Sequence, residues 1–462
     1  MPPCTPPFRM LCRFNQRTSF RNSPPRRCGF KEFAVVSSEG ALSVSYPGPP
    51  RQVSPFAAVP NGLMRILKTV QSYFPFQDRG GPVFKVRSLA RGLAQRGHQI
   101  TVLTADLGLR ALNGNGIDSE PCAWGLRAQF DGAETIYLST LGHYRALTLN
   151  PGVIRFCGAS LSRFDLVHIF GLYDLLGPAV AHYCRREGIP YVVEPMGMFR
   201  PIVRALPLKR MYHRIFGDRM IAGAKFLIAT SGQEKDELAE GGISPSRIVV
   251  RRNGIELPDR LPPRGDFRRQ WNISPDVKLV LFLGRLVSKK SPDMLMQAFT
   301  AWCASSSERC ASVLVLAGPD ERDGFADRLK KLAGELGIAP QVCFTGPLYD
   351  DAKWKAYSDA DVFVLPSLNE NFGNTAGEAA ACGAPVIVTD RCGIAPFVGR
   401  AGIVIRHGPA ELQRALEVIL SEPSPRENRR EGCAEMARAL SWEGPLAQNE
   451  ELYQQCLASA RP

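Results

Sequence analysis

The sequence predicts an α/β protein of two doubly wound domains that face a central cleft. At 462 residues the chain is longer than one hydrophobic core usually supports. Short apolar runs alternate with helix-length segments from Met64 onward, which is typical of parallel sheets. The proline-rich stretch 258–263 separates two series of such runs and indicates a hinge. The predicted parts are an N-terminal extension (1–63), an N-terminal domain (64–257), a hinge (258–265), a C-terminal domain (266–440) and a terminal helix (441–462).

Residues 1–63 lack both helical and strand periodicity. The segment is rich in Pro, Arg and Ser and poor in acidic residues, which is typical of disorder. Because an apolar strand pattern begins directly at Met64, an alternative is that Met64 is the natural start and that the gene model introduced the extension. A transit peptide is the rival interpretation, since such peptides are also Arg- and Ser-rich and acid-poor.

The composition restricts the compartment and the partners. Thirteen cysteines without a C-x-x-C pair suggest neither a disulfide framework nor a zinc site, so a cytoplasmic protein is predicted. No apolar run approaches the roughly 18 residues of a membrane span, so any membrane contact is expected to be peripheral, on the inner face. The net charge of +13 favours an anionic small molecule or an anionic membrane surface as partner. Nucleic acid is the weakest candidate because no basic stripe interleaved with aromatic residues is present.

The N-terminal domain is predicted to open with a β-α-β unit. An apolar strand at 66–70 is followed by the Gly80–Gly81 pair, a helical pattern that ends at Gly97, and a second strand at 99–104. A Gly-Gly pair alone marks a plain turn more often than a binding loop. A G-x-G-x-x-G fingerprint is absent from this unit, which counts against an ordinary NAD enzyme.

Two later strands are expected to end at the same cleft. The first, within 164–171, carries His168, and the second, within 190–198, carries Glu194 and Met196. The carboxyl ends of parallel strands meet at one edge of a sheet, where ligands bind. His168 is therefore a catalytic candidate, although a packed or capping histidine is an equal alternative.

The segment 199–225 alternates basic and apolar residues. One hypothesis is an interfacial patch that docks on anionic lipid headgroups and reaches a lipid-linked acceptor. The alternative is an ordinary helix pair with one solvated basic face, since long basic side chains also cover apolar surface.

The C-terminal domain begins with an apolar strand that ends in Gly284 and Arg285, and Lys290 follows in the same loop. A guanidinium and an ammonium at the end of one strand can clamp a diphosphate. Alone, this spacing more often marks a solvated loop. Further strands of this domain are predicted at 312–317, 342–346, 361–366, 386–389 and 402–405.

The stretch 366–390 combines a strand end, a polar loop and a short alanine-rich helix. Glu370 stands at the strand end and Glu378 on the first turns of the helix, and either carboxylate can accept both hydroxyls of a vicinal diol. Gly373 and Gly377 allow close approach to a helix N-terminus that suits phosphate. Solvated surface carboxylates are the alternative reading. A metal-binding pair at Asp359 and Asp361 is not favoured, because one side chain ends a helix and the other begins a strand.

These motifs resemble the signature of the retaining nucleotide-sugar glycosyltransferases of family 4, also called group 1, and the resemblance runs from Met64 to the C-terminal helix. Glu370 and Glu378 match the family's Glu, seven residues, Glu motif. Arg285 and Lys290 match its Gly-Arg-Leu and Lys motif, with a serine where the next residue is usually glycine. The chain departs from the family where it has Met196, since relatives commonly place a histidine there.

The resemblance implies a GT-B fold, two Rossmann-like domains facing a cleft, with an acceptor domain first, a donor domain second and a last helix that crosses back. It implies transfer of a sugar with retention from a nucleotide-sugar, UDP- or GDP-linked, to a glycan, lipid-linked or small-molecule acceptor in polysaccharide or glycoconjugate biosynthesis. No cofactor and no metal are expected. The implied catalytic residues are Glu370, Arg285, Lys290 and His168, and the implied donor-binding residues are Gly80, Gly81, Gly284, Arg285, Lys290, Glu370, Asn371, Phe372, Gly373, Asn374 and Glu378.

Two functions from other classes stay open at this point. A nucleotide-sugar epimerase shares the two-domain layout, and incubation with UDP-sugars in the absence of an acceptor would reveal it. A non-catalytic sugar-nucleotide-binding protein is the other, and it would tolerate loss of the Arg285 and Lys290 pair.

Overall fold

The structure, a computed structural model, contains two parallel-sheet α/β domains. It describes residues 62–76, 81–107, 109, 118–144, 147–199, 206–305, 311–320 and 324–459. The predicted extension therefore lies, up to residue 61, outside the described residues, and so does Gly80. The predicted domain and hinge boundaries stay predictions.

The first domain is built on a nine-stranded sheet in the order β11-β10-β9-β8-β1-β2-β5-β4-β3. Its strands, with a separate hairpin formed by β6 and β7, are β1 Arg65–Thr69, β2 Gln99–Ala105, β3 Ser119–Cys122, β4 Gly125–Phe130, β5 Ala133–Leu138, β6 Gly142–Tyr144, β7 Leu147–Leu149, β8 Leu166–Phe170, β9 Tyr191–Glu194, β10 Leu227–Ala229 and β11 Ile248–Val250. The helices are α1 Gly81–Gln95, α2 Gly152–Ser160, α3 Leu176–Glu187, α4 Leu206–Tyr212, α5 Asp218–Gly223 and α6 Gly232–Glu240.

The order of this sheet reverses between β1 and β8. Strand β1 pairs in parallel with β2 on one side and with β8 on the other. The connections from β1 lead outward in one direction and those from β8 in the other, so the crevice between them is a topological switch point. The antiparallel strands β3 and β4, which extend one edge beyond β5, were not predicted from the sequence.

The second domain is built on a six-stranded, all-parallel sheet in the order β14-β13-β12-β15-β16-β17. Its switch point lies between β12 and β15. The strands are β12 Lys278–Leu283, β13 Ser312–Ala317, β14 Val342–Gly346, β15 Val362–Leu365, β16 Val386–Thr389 and β17 Gly402–Ile405. The helices are α7 Asp266–Gln270, α8 Pro292–Ala304, α9 Phe325–Glu335, α10 Asp350–Asp359, α11 Asn374–Ala381, α12 Pro409–Leu420, α13 Pro425–Asn428 and α14 Arg430–Ala439.

Both sheets are covered by helices on their two faces. The central strands are continuous apolar runs, such as the fully buried Leu166–Phe170, because both faces of a covered parallel sheet are dry. Two apolar clusters flank each sheet. The predicted doubly wound architecture is confirmed.

The last helix, α15 (Glu443–Ala458), packs against the first domain. Leu446, Leu452 and Tyr453 belong to the apolar cluster that also contains β1 and α1. The outgoing and returning connections between the domains meet where the amide of Ile255 donates to the carbonyl of Leu440 at 2.8 Å. The two sheets are therefore joined by two adjacent chain segments.

Candidate active site

The carboxyl ends of β12 and β15 bring Lys290 and Glu370 together. Lys290 ends a short 3₁₀ turn, Ser288–Lys290, after β12, and Glu370 follows β15. Their side chains form an ion pair, and each is 17% exposed. Strands β12 and β15 flank the switch point, so two motifs 80 residues apart in sequence meet at the expected crevice.

The pKa of the Lys290 ammonium is subject to opposing effects. Burial lowers the pKa of its ammonium, and the positive charge of Arg285 acts in the same direction. The contact with the Glu370 carboxylate favours the charged form instead. Arg285 itself is exposed in the loop that follows Gly284.

The residue after Lys290 fixes the shape of this loop. Ser291 has a φ of 50°, in the left-handed region, where any residue except glycine carries a Cβ penalty. Its hydroxyl makes a 2.9 Å hydrogen bond with Nε2 of His407. This bond offsets part of the backbone cost, and His407 was not identified from the sequence.

The loop that carries Glu370 is held by its own backbone. The amide of Glu370 donates to the carbonyl of Arg391 at 2.9 Å, and its carbonyl accepts from the amide of Gly393 at 3.0 Å. Phe372 is 2% exposed and packs near Phe397, so its side chain anchors the loop in the core. The side chain of Phe372 is therefore not placed to meet a ligand, and its carbonyl accepts from the amide of Ile394 at 2.7 Å.

Gly373 begins helix α11 in a conformation that a side chain would not fit. Its φ is 108°, and a Cβ there would lie 2.9 Å from a methyl group of Leu365. As the N-cap of α11 it leaves the first amides of an eight-residue helix without a side-chain cap. Glycine is thus required by both backbone angle and space.

Glu378 lies on α11 and is held by two donors from α10. The ammonium of Lys353 lies 3.0 Å from Oε1, and the hydroxyl of Tyr357 donates to Oε2 at 3.0 Å. The side chain of Glu378 is 16% exposed. Glu370 and Glu378 thus hold separate partners at the same edge of the sheet.

The loop that carries Glu370 also touches the first domain. A Cβ on Gly197, in the loop after β9, would lie 3.0 Å from Cβ of Asn371. The side-chain amide (Nδ2) of Asn253 donates to Oδ1 of Asn374 at 3.1 Å, and that of Asn369 donates to Oε1 of Glu237 at 3.2 Å. The two domains are therefore in contact beside the Glu370 loop.

Gly81 is the first residue of α1, so the described part of the predicted glycine loop forms the start of this helix. One turn later Phe84 is 38% exposed, and its ring lies 5.7 Å from the Lys353 ammonium of the second domain. The N-terminal end of α1 therefore lies across the cleft from Glu378 and its partners.

His168 is placed apart from these residues. It stands in the middle of β8, is 0% exposed, and stacks on Phe170 with ring centroids 3.8 Å apart. Its Nδ1 lies 2.6 Å from the hydroxyl of Tyr453, and its Nε2 lies 3.4 Å from Oε2 of Glu194. The geometry matches the packed alternative rather than contact with the Lys290 and Glu370 pair.

His168 belongs to a buried charged cluster of the first domain, which we call the N-domain cluster. Its members are Lys68, Lys85, His168, Glu194 and Arg251, with exposed fractions of 0 to 4%. Glu194 forms ion pairs with Lys85 and with Arg251, the latter at 2.5 Å. Burial lowers the pKa of His168 to about 3. Burial alone would raise the pKa of Glu194, but the charges of Arg251 and Lys85 outweigh it and hold that pKa well below its usual range.

The two aspartates considered as metal ligands hold a different part of the fold. Asp361 accepts from Arg268 at 2.7 Å, and Asp359 accepts from the Arg268 amide at 2.8 Å. Both therefore fix the start of the second domain at α7. Among the residues that the structure describes, no group of three or more His, Cys, Asp or Glu side chains is arranged to hold a metal ion.

Comparison with known families places these motifs in context. Residues 263–439 match the family described as glycosyl transferases group 1, and residues 80–254 match the glycosyl transferase 4-like domain. A D-inositol 3-phosphate glycosyltransferase of Thermomonospora curvata is 31% identical over 399 residues, which cover 81% of this chain and 90% of that protein. The chain belongs to the group 1 glycosyltransferases.

Other similar proteins agree with this assignment. The D-inositol 3-phosphate glycosyltransferase 2 of Catenulispora acidiphila is 29% identical, over 83% of this glycosyltransferase and 92% of its own length. Among solved structures, sucrose-phosphate synthase from Thermosynechococcus elongatus gives a TM-score of 0.65 at 21% identity, covering 86% of this chain and all of that one. The structure of Anabaena HepE in complex with UDP and glucose gives a TM-score of 0.67 at 17% identity. The match covers 85% of this chain and all of HepE. These likenesses confirm the GT-B fold.

Three side chains of this glycosyltransferase's site were missed from the sequence: Lys353, Tyr357 and His407. Lys353 and Tyr357 are four residues apart on α10, so they share one helix face. That spacing was visible, but nothing in it indicated which residue the face would meet. The donor-binding and catalytic roles assigned from the resemblance stay predictions.

Proposed function

We propose that this glycosyltransferase transfers a sugar, with retention, from a UDP- or GDP-linked donor to a glycan, lipid-linked or small-molecule acceptor in polysaccharide or glycoconjugate biosynthesis. The observation that supports it most is the Lys290 and Glu370 ion pair at the β12/β15 switch point, 17% exposed on each side. The donor diphosphate takes Lys290 and Arg285, the sugar takes Glu370 and the Asn371 to Asn374 backbone, and the ribose takes Glu378. No metal and no cofactor take part.

In the proposed step the bond between the anomeric carbon and the diphosphate oxygen breaks as the acceptor oxygen bonds to that carbon from the same face. The proton of the acceptor hydroxyl passes to the departing phosphate oxygen. Lys290 and Arg285 stabilise the negative charge that develops on the diphosphate. The Glu370 carboxylate stabilises positive charge near the anomeric carbon.

The comparisons support the choice of donor and extend the acceptor panel. HepE has also been solved in complex with UDP-glucose, which supports testing UDP-sugars first. Several relatives are named D-inositol 3-phosphate glycosyltransferases, which supports adding a phosphorylated polyol to the acceptors.

A donor panel tests the proposal. Purified protein is incubated with UDP-, GDP- and ADP-linked sugars, with and without acceptors, and released nucleoside diphosphate is measured. We expect one donor to release nucleotide and the anomeric configuration of the product to match that of the donor. Release of no nucleotide with any donor contradicts a transferase, conversion of a UDP-sugar into its epimer without acceptor supports the epimerase, and an inverted product contradicts retention.

We further propose that an exposed patch on α4, the segment 213–217 that follows it and the start of α5 docks on an anionic membrane surface. Its apolar members are 39 to 53% exposed, and exposed arginines lie among them. The patch comprises Leu208, Arg210, Met211, Arg214, Ile215, Phe216 and Arg219. No helix in the described ranges is long and apolar enough to cross a membrane. Apolar side chains flanked by arginines suit the boundary between lipid headgroups and acyl chains.

Flotation with liposomes tests this docking. We expect the protein to float with vesicles that contain anionic lipid at low salt, and a double variant Ile215→Ser and Phe216→Ser to remain at the bottom of the gradient. Val418→Ser serves as control, since Val418 is also exposed but lies on α12 of the second domain. No flotation of the unmodified protein at low salt contradicts the proposal.

A further inference from the structure

Helix α10 presents two hydrogen-bond donors to one carboxylate of the neighbouring helix. Lys353 and Tyr357 are separated by four residues, so they lie on one face of α10. Lys353 contacts Oε1 of Glu378 and Tyr357 contacts Oε2, both at 3.0 Å. Each oxygen of Glu378 is therefore engaged by a separate donor of the same helix.

Tyr357 is a donor whose position and protonation are both fixed. Its side chain is 0% exposed, and its ring packs edge-on against Trp354 and Phe363, with centroids 5.9 and 5.6 Å away. Burial raises the pKa of its phenol far above the ordinary value, so the hydroxyl keeps its proton and donates a hydrogen bond to Glu378. A buried hydroxyl without this acceptor would lose a hydrogen bond at a cost.

Lys353 lies between the two domains. Its side chain is 18% exposed, and its ammonium lies 4.3 Å from the Trp354 ring centroid. The same ammonium lies 5.7 Å from the ring centroid of Phe84, which belongs to α1 of the first domain. Two aromatic faces and a carboxylate thus hold the cation in place.

The Glu378 carboxylate, held in this way, keeps a known number of hydrogen-bond acceptor sites for a ligand. It offers about four lone-pair sites, two on each oxygen. With one site on each oxygen taken by Lys353 and Tyr357, one site on each oxygen remains. Two sites on adjacent oxygens fit the two hydroxyls of one vicinal diol.

We propose that Lys353 and Tyr357 are positioning residues that fix Glu378 to accept both hydroxyls of the donor ribose, and that they thereby set a preference for ribonucleotide over 2′-deoxyribonucleotide donors. The inference rests on the proposed function, in which Glu378 meets the ribose. A fixed carboxylate discriminates because loss of one hydroxyl leaves one of its remaining sites without a partner. A carboxylate released from α10 can turn to use the single hydroxyl that is left, so its preference weakens.

The experiment compares nucleotide pairs by isothermal titration. UDP, GDP and ADP are titrated first, and the tightest of them is then compared with its 2′-deoxy counterpart. The variants are Lys353→Met, Tyr357→Phe and Glu378→Gln. Lys355→Met is the matched control, because Lys355 lies on the same helix but pairs with Asp351, at 2.5 Å, on its exposed side.

We expect the unmodified protein and Lys355→Met to bind the ribonucleotide roughly tenfold more tightly than the deoxyribonucleotide, the effect of one lost hydrogen bond to a charged group. In Lys353→Met and Tyr357→Phe we expect the ratio to fall to about two, with the larger loss on the ribonucleotide. Glu378→Gln is expected to abolish the preference. Lys353→Met remains informative if Tyr357→Phe does not fold, because Lys353 is not a core side chain.

The outcomes separate this inference from the proposed function. If no nucleoside diphosphate binds the unmodified protein, the proposed function fails and this inference fails with it. If nucleotides bind and Glu378→Gln removes the preference, while Lys353→Met and Tyr357→Phe leave the ratio unchanged, only the inference is overturned. An equal loss of affinity for both nucleotides in these two variants also overturns it, since that is the signature of a structural role.

Discussion

The two domains each contain contacts between lysine and glutamate, but these contacts serve different ends. In the N-domain cluster, Glu194 is 0% exposed and contacts Lys85, Arg251 and His168. In the second domain, Glu370 contacts Lys290, and both side chains keep 17% exposure. The comparison shows that residue type does not distinguish a fully buried charge cluster from a partly exposed ion pair at the crevice.

Enclosure, and not position along a strand, explains the difference, since Glu194 is the last residue of β9 yet lies buried between Lys85 and Arg251. His168 stands in mid-strand in β8, opposite Lys68 of β1, where helices cover both faces of the sheet. Lys290 and Glu370 follow the ends of their strands, at the crevice of a switch point. A buried ion pair that loses a partner leaves an uncompensated charge, whereas a pair at the crevice can exchange its partner for a ligand.

The comparison predicts that Glu194→Gln causes the largest loss of stability. Neutralising this carboxylate leaves Arg251 and Lys85 buried without a counter-charge, so the free energy of unfolding should fall by about 3–5 kcal/mol. Urea denaturation followed by circular dichroism measures it. Glu120→Gln, in an exposed pair of the same domain, should change stability by less than about 0.5 kcal/mol. Equal stability of the two variants would show that Glu194 does not balance the buried cations.

Lys290→Ala is expected to lose activity while keeping its stability, in contrast to Glu194→Gln. Loss of the ammonium should reduce kcat/KM for donor turnover by about 100-fold or more, because charge on the leaving diphosphate is no longer stabilised. The free energy of unfolding should change by less than about 1 kcal/mol, since Glu370 remains partly exposed. Lys331→Ala, in an exposed pair on α9, serves as control. Unchanged turnover in Lys290→Ala would refute the clamp.

Acidification should weaken the N-domain cluster through His168. Its native pKa of about 3 lies below the unfolded value of about 6.5, so below pH 6.5 the unfolded state binds more protons and stability falls. Between about pH 7 and pH 5 the loss that comes from His168 should reach about 2 kcal/mol, whereas Asp174, whose pKa burial raises to about 6, acts in the opposite direction. The His168 contribution is therefore measured as the difference in the pH dependence of the unfolding free energy between the unmodified protein and a His168 variant. Glu194, whose pKa is also lowered, adds its own loss only as the pH falls below about 4.5.

The variant His168→Gln isolates the contribution of His168 to the pH dependence of stability. A glutamine stays neutral over the whole range, so the slope between about pH 7 and pH 5 should be reduced in the variant. An unchanged slope would assign the pH dependence to other groups.

The smallest effect is expected at Ser291, which shapes the Lys290 loop. Ser291→Ala loses the hydrogen bond to His407 but keeps the left-handed backbone, so it should lower the unfolding free energy by about 1 kcal/mol. Ser291→Gly loses the same bond but relieves the backbone, and it should be more stable than the alanine variant by about 1 kcal/mol. Thermal unfolding compares the two. An alanine variant as stable as the glycine variant would show that the backbone cost at this position is negligible.

Much of the second domain could be predicted from the sequence, because its motifs are short and lie at strand ends. The run that ends in Gly284 and Arg285 indicated a strand followed by a basic loop, and β12 and Lys290 are found there. The first domain was harder to predict. Edge strands β3 and β4 are short and carry weak alternation, and the same β8 pattern that placed His168 on a strand could not show how deep in the sheet it lies.

By itself the sequence determined the doubly wound class, the strands of the second domain and the spacing of Glu370 and Glu378, because these follow from local apolar periodicity and glycine chemistry. Only the tertiary structure decided which charges are sealed and which face the cleft. It paired Lys290 with Glu370, seated Lys353 and Tyr357 on Glu378, and enclosed His168 beneath Tyr453 of the last helix. These contacts join residues from 21 to 285 positions apart. Burial and charge pairing depend on chain packing, which no local pattern specifies.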